Sequence, residues 1–79
     1  MELDKILNTA SLTEEEKTIL MVLKFIGNET YVSDDYLAPL TSLTKTDLVG
    51  NLEALEKTGY LSIEVNEKVP TESKYTVIM

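Results

Sequence analysis

The sequence predicts a small, mostly helical α+β domain: a three-helix core with a short strand, closed by a C-terminal β-hairpin and preceded by a short N-terminal helix. Three observations carry that expectation. Apolar residues recur at helical spacing through residues 14–58. Hydroxyl residues followed by acids mark helix starts at Thr13, Ser33 and Thr44. Beyond Gly59 the apolar period drops to two: Leu61, Ile63 and Val65 alternate with polar residues, and Tyr75, Val77 and Met79 repeat the pattern in a second run.

Taken in chain order, Leu3, Ile6, Leu7 and Ala10 predict an amphipathic helix over residues 2–10. So short a helix is marginal alone and must dock on the body or on a second copy. Thr13 and Glu16 have capping-box spacing, and Glu14 and Glu15 complement the positive end of the helix dipole. The acidic triplet is therefore read as a cap rather than an interaction patch. Helix one follows from Glu14 to Ile26, with Ile19, Leu20, Leu23 and Ile26 as its inward stripe and Met21, Val22 and Phe25 widening it. Gly27-Asn28 ends it. Thr30-Tyr31-Val32 has strand-forming residues suited to pairing with the later hairpin.

Ser33 caps helix two, with Leu37, Ala38 and Leu40 as core residues. Pro39 lies past the first turn and removes a hydrogen bond, so this helix is expected to bend or to break into two turns. A tight turn over Thr41 to Thr44 leads into helix three, which Thr44 and Asp47 cap and which runs to about Thr58. Leu48, Leu52 and Leu55 form its inner face, and Gly59 stops it. The loop from Glu67 to Glu72 holds Pro70, which must lie off the strand ladder.

With 79 residues the chain is expected to be a single domain: an arm over residues 1–11, a body, and a hairpin over residues 60–79. A chain of this size buries about 60–65% of its unfolded surface, so all elements must share one core. Cysteine, histidine, tryptophan and arginine are absent. Without histidine or cysteine there is no ready general base, nucleophile or soft metal ligand, and the glycines stand singly at 27, 50 and 59 rather than in a phosphate-cradling loop. No enzyme activity, metal or cofactor is expected. No signal peptide or membrane-spanning run is recognisable, so a cytoplasmic location is expected, and the glycosylation triplet Asn28-Glu29-Thr30 is read as accidental.

Charge decides the choice of partner. Fourteen acids against seven lysines give a net charge of −7, which repels nucleic acid and favours a neutral or basic partner. Residues 1–43 hold eight acids and three lysines, whereas residues 44–79 hold six acids and four lysines. The C-terminal half is the less acidic, but it is not basic.

The segments Leu37 to Leu48 and Leu52 to Leu61, set in the order helix, short strand, helix, helix, hairpin, resemble the winged helix-turn-helix domains of bacterial and archaeal regulators. The resemblance covers roughly residues 13–79. It rests on the Leu37-Ala38 pair of helix two, the hydroxyl cap Thr44, and the ending Leu55-Glu56-Lys57-Thr58-Gly59 that leads into the wing. The resemblance implies that Lys45, Thr46, Val49, Gly50 and Glu53 form the partner-facing side of helix three, with Lys68 at the wing tip. Lys45 and Thr46 suit phosphate or base contacts. Gly50 and Glu53 fall where DNA-binding relatives often carry basic residues, and arginine's bidentate guanine contact is missing altogether. Similar acidic winged helices in replication and transcription machinery dock proteins instead.

Two functional expectations follow. The first is a non-enzymatic regulatory module of transcription or DNA-maintenance machinery, docking a protein partner of neutral or basic surface through helix three and the wing. The second is a DNA-binding transcriptional regulator acting as a homodimer, because one copy offers too few lysines for more than weak binding. In either case Leu3, Ile6 and Leu7 are the expected dimerisation residues.

Overall fold

A computed structural model describes residue 6 and residues 11–78. The elements are α1 (Glu14–Ile26), β1 (Val32–Ser33), α2 (Asp34–Thr41), α3 (Lys45–Lys57), β2 (Leu61–Val65) and β3 (Glu72–Val77). The described residues thus form a small α+β domain in which three helices pack with an antiparallel sheet of strand order β1-β3-β2.

Local chemistry sets the boundaries. At the start of α1 the capping box is complete: Glu16 N–H donates to Thr13 Oγ1 at 3.1 Å, and Thr13 N–H donates to Glu16 Oε1 at 2.9 Å. Ser33 Oγ accepts from Tyr36 N–H, and Thr44 Oγ1 accepts from Asp47 N–H, each at 3.2 Å. The end of α3 is a Schellman closure, with Tyr60 N–H on the Leu55 carbonyl and Gly59 N–H on the Glu56 carbonyl. It needs the left-handed backbone that Gly59 adopts, at φ 87°.

The expected inner face of α3 is in place, because Leu48, Leu52 and Leu55 are buried. They share one core with Ile19, Leu20 and Leu23 of α1, Leu37 of α2, and Val32, Leu61 and Tyr75 of the sheet. Thr41 is the polar member of this interior, and its hydroxyl donates to the Leu37 and Ala38 carbonyls. Alternation along β2 fades towards the hairpin tip: Leu61 is buried, Ile63 half-buried and Val65 exposed. Pro70 lies in the loop, off the ladder.

Three sequence expectations need correction, and a fourth is narrowed. Phe25 does not widen the inward stripe of α1; it is 93% exposed, because the core lies against the side of the helix that carries Ile19, Leu20 and Leu23. Leu40 is likewise not a core residue of α2, being 48% exposed. Of the two paths expected at Pro39 the break is excluded, since helix α2 runs from Asp34 to Thr41; the carbonyl that Pro39 leaves unserved belongs to Asp35, an exposed residue. The first strand lies at Val32–Ser33 rather than Thr30–Val32, so Ser33 both ends a strand and caps a helix.

The expected N-terminal helix lies outside the described residues except for Ile6. That residue is helical and fully buried in the core, so it cannot also offer a free dimerisation face. Leu3, Leu7 and Met79 lie outside the described residues.

Candidate functional site

Strand register assembles the site. Ser33 pairs with Glu72 across β1 and β3, which brings an acid of the hairpin beside the start of α2 and its Asp34-Asp35 pair. Helix α3 runs past the same corner. Between them lies a groove of about 450 Å³.

Its apolar lining comes from Val49 and Leu52 of α3, Ile63 and Tyr75 of the sheet, and Pro70 of the loop. Its charged lining comprises Asp34, Asp35, Glu53 and Glu72 against the single lysine Lys45, a formal charge of −3. Lys45 is itself engaged, with Nζ 3.3 Å from Asp35 Oδ1. Both side chains are largely exposed, so the pair adds little to stability, but it lowers the positive potential that Lys45 shows a ligand.

Tyr75 is a buried member of the groove's lining, and its hydroxyl donates to Asp34 Oδ1 at 3.4 Å. Burial first, and the nearby Asp34 carboxylate second, push its pKa up to about 12. The phenol therefore stays protonated at neutral pH, where it acts as a donor and not as a base. Among the described residues no cluster of carboxylates is arranged to hold a metal ion. What the groove offers is apolar surface edged with carboxylate charge, suited to binding a cationic, partly apolar chain.

The residues expected from sequence are divided. Lys45, Val49 and Glu53 meet in the groove. Thr46 and Gly50 are exposed on α3 but do not line it, and a Cβ at Gly50 would meet only open space. Lys68 belongs to a separate depression beside Tyr31, Glu64, Asn66 and Glu67. There Tyr31 hydroxyl donates to Glu64 Oε2 at 2.9 Å, Lys74 Nζ stands 3.6 Å from the same oxygen, and Lys74 lies 4.8 Å from the Tyr31 ring centre. The hydrogen bond to Glu64 is the main cause raising the Tyr31 pKa.

Sequence reasoning missed Asp34, Asp35 and Glu72 as parts of the site. The two aspartates read as dipole-complementing cap residues, which they also are. Only the pairing of Ser33 with Glu72 reveals that three acids share one corner.

No protein-family model and no curated protein matches the chain. Among the described residues no helix is long and apolar enough to cross a membrane.

Proposed function

We propose that this chain is a non-enzymatic winged helix-turn-helix module of transcription or DNA-maintenance machinery, and that it acts by docking a basic segment of a protein partner between α3 and the hairpin. One observation carries the reading: the groove holds four carboxylates and one lysine, and that lysine is already paired with Asp35. A phosphate entering the groove would meet repulsion. A lysine or arginine side chain would lay its aliphatic stem on Val49, Leu52 and Ile63 and set its charge among Asp34, Glu53 and Glu72. The net charge of −7 steers such a partner towards the chain from a distance.

The winged-helix assignment is supported by the order α2, tight turn, α3, hairpin, and by an outward face of α3 that remains open to solvent at Lys45, Thr46, Gly50 and Glu53. A second reading, a homodimeric DNA-binding regulator, draws on Lys45 and Thr46 at the start of α3 and on Lys68 at the hairpin tip. It requires Lys45 to leave Asp35 and approach a phosphate past the groove's acids.

Amide-shift mapping with a lysine-rich peptide tests the choice. Docking predicts perturbations centred on Asp35, Val49, Glu53 and Glu72 that fade as salt is added. Silence with the peptide, together with shifts at Lys45, Thr46 and Lys68 on adding a DNA duplex, would hand the function to the second reading.

A further inference from the structure

On the side of α2 away from the acidic groove, the molecule carries a second and chemically different surface. Met21, Val22, Phe25 and Ile26 of α1 join Tyr36 and Leu40 of α2 around a depression of about 550 Å³ that contains no charged residue. The two sites share no lining residue: α2 lends Asp34 and Asp35 to the groove, and Tyr36 and Leu40 to this face. Phe25 is 93% exposed, Tyr36 54% and Leu40 48%. Isolated exposed apolar residues are ordinary, but a contiguous cluster led by a bare phenylalanine marks a contact surface.

We infer that this face is the interface of a two-fold homodimer, with Phe25 of each copy seated in the depression of the other. Shape supports a second copy as occupant. The exposed Phe25 ring forms one wall of the apolar hollow, so two copies related by a two-fold axis can each set that ring against the other's hollow, the self-complementary contact of an isologous interface.

Area supports it as well. Phe25 and Tyr36 together leave on the order of 300 Å² of aromatic surface in water. The whole face offers on the order of 500 Å², near the upper end for the largest patch on a monomer. Two copies in contact would bury about 1,000 Å² in total, the lower bound for a biological interface and the size of a weak, reversible dimer.

Charge sets the sign of the salt effect. Each copy carries −7, so two copies repel at long range, while the contact itself is uncharged. Added salt screens the repulsion and leaves the apolar contact intact, so the dimer tightens with salt. Docking of a basic segment in the groove has the opposite dependence.

The test is sedimentation of the full chain from micromolar to millimolar concentration at low and moderate salt. The expected result is a two-chain mass whose dissociation constant falls as salt rises. Phe25→Asp and Leu40→Asp should each weaken the association at least about tenfold, as loss of an interface anchor does. Both positions are solvent-exposed, so the helical circular dichroism of each variant should be retained. A one-chain mass for the wild type throughout the range would overturn the inference and leave the face to a different protein. Dimerisation of both variants with wild-type affinity would overturn it equally.

Discussion

Lys45, the first residue of α3, is tied to Asp35, the second residue of α2, across the turn between the two helices, with 3.3 Å between Nζ and Oδ1. The contact takes the one lysine of the groove and sets it against a carboxylate. In a surface meant for phosphate the same lysine would face outward, free of acids. Here its partner belongs to a set of four carboxylates around one cavity.

The variant Asp35→Asn follows directly from that relationship. Both partners are well exposed, so stability should change by no more than about 1 kcal/mol. Binding of a lysine-rich peptide should weaken several-fold as a carboxylate is lost and Lys45 is released. Thermal melts and a peptide titration of the same preparation check both halves.

Tyr75 makes stability depend on pH in the alkaline range. Its pKa rises from the ordinary 10.0 to about 12, mainly through burial, so the folded state prefers the neutral phenol. The corresponding stability is complete below pH about 10 and is lost as pH climbs from there through about 12. Denaturation midpoints across this window should fall more steeply for the wild type than for Tyr75→Phe. Parallel curves would contradict the assignment of a buried, protonated hydroxyl.

The facing of α3 can be checked by contrast. Leu48 is fully buried, and Leu48→Ala should cost about 2–5 kcal/mol. Thr46 is exposed, and Thr46→Ala should stay within about 0.5 kcal/mol of wild type. Chemical denaturation of the two variants distinguishes an inward leucine from an outward threonine two residues earlier.

Ser42 closes α2 in the left-handed region at φ 59°, a conformation that costs a residue with a Cβ but not glycine. Ser42→Gly should therefore stabilise the domain by about 0.5–1 kcal/mol, the residual after glycine's greater freedom in the unfolded chain is counted. A urea midpoint lower than that of wild type would contradict the geometry of this turn.

Much of the fold could be read from residues because local chemistry and tertiary packing agree. Thr13, Ser33 and Thr44 cap the helices they were expected to cap. Leu48, Leu52 and Leu55 face inward at the spacing that predicted it, and Gly59 ends α3. Phe25 and Leu40 failed because periodicity marks an apolar face but cannot say whether a neighbour covers it. At Pro39 only the expected break is excluded, because α2 runs on to Thr41 and the residue whose carbonyl loses its partner, Asp35, is exposed. The site was half visible: Lys45, Val49 and Glu53 follow from their places on α3, whereas Glu72 joins Asp34 and Asp35 through strand register. Register depends on pairing between distant segments, which no local window contains.

The central claim is that the groove between α3 and the hairpin attracts positive charge. Its most direct test is fluorescence anisotropy of the full chain against a labelled lysine-rich peptide and a labelled random DNA duplex, each titrated over a range of salt. Binding to the peptide that weakens with salt and is lost on Glu53→Lys, with no measurable duplex affinity, is the predicted result. Tight, steeply salt-dependent binding to the duplex, abolished by Lys45→Glu, would contradict it.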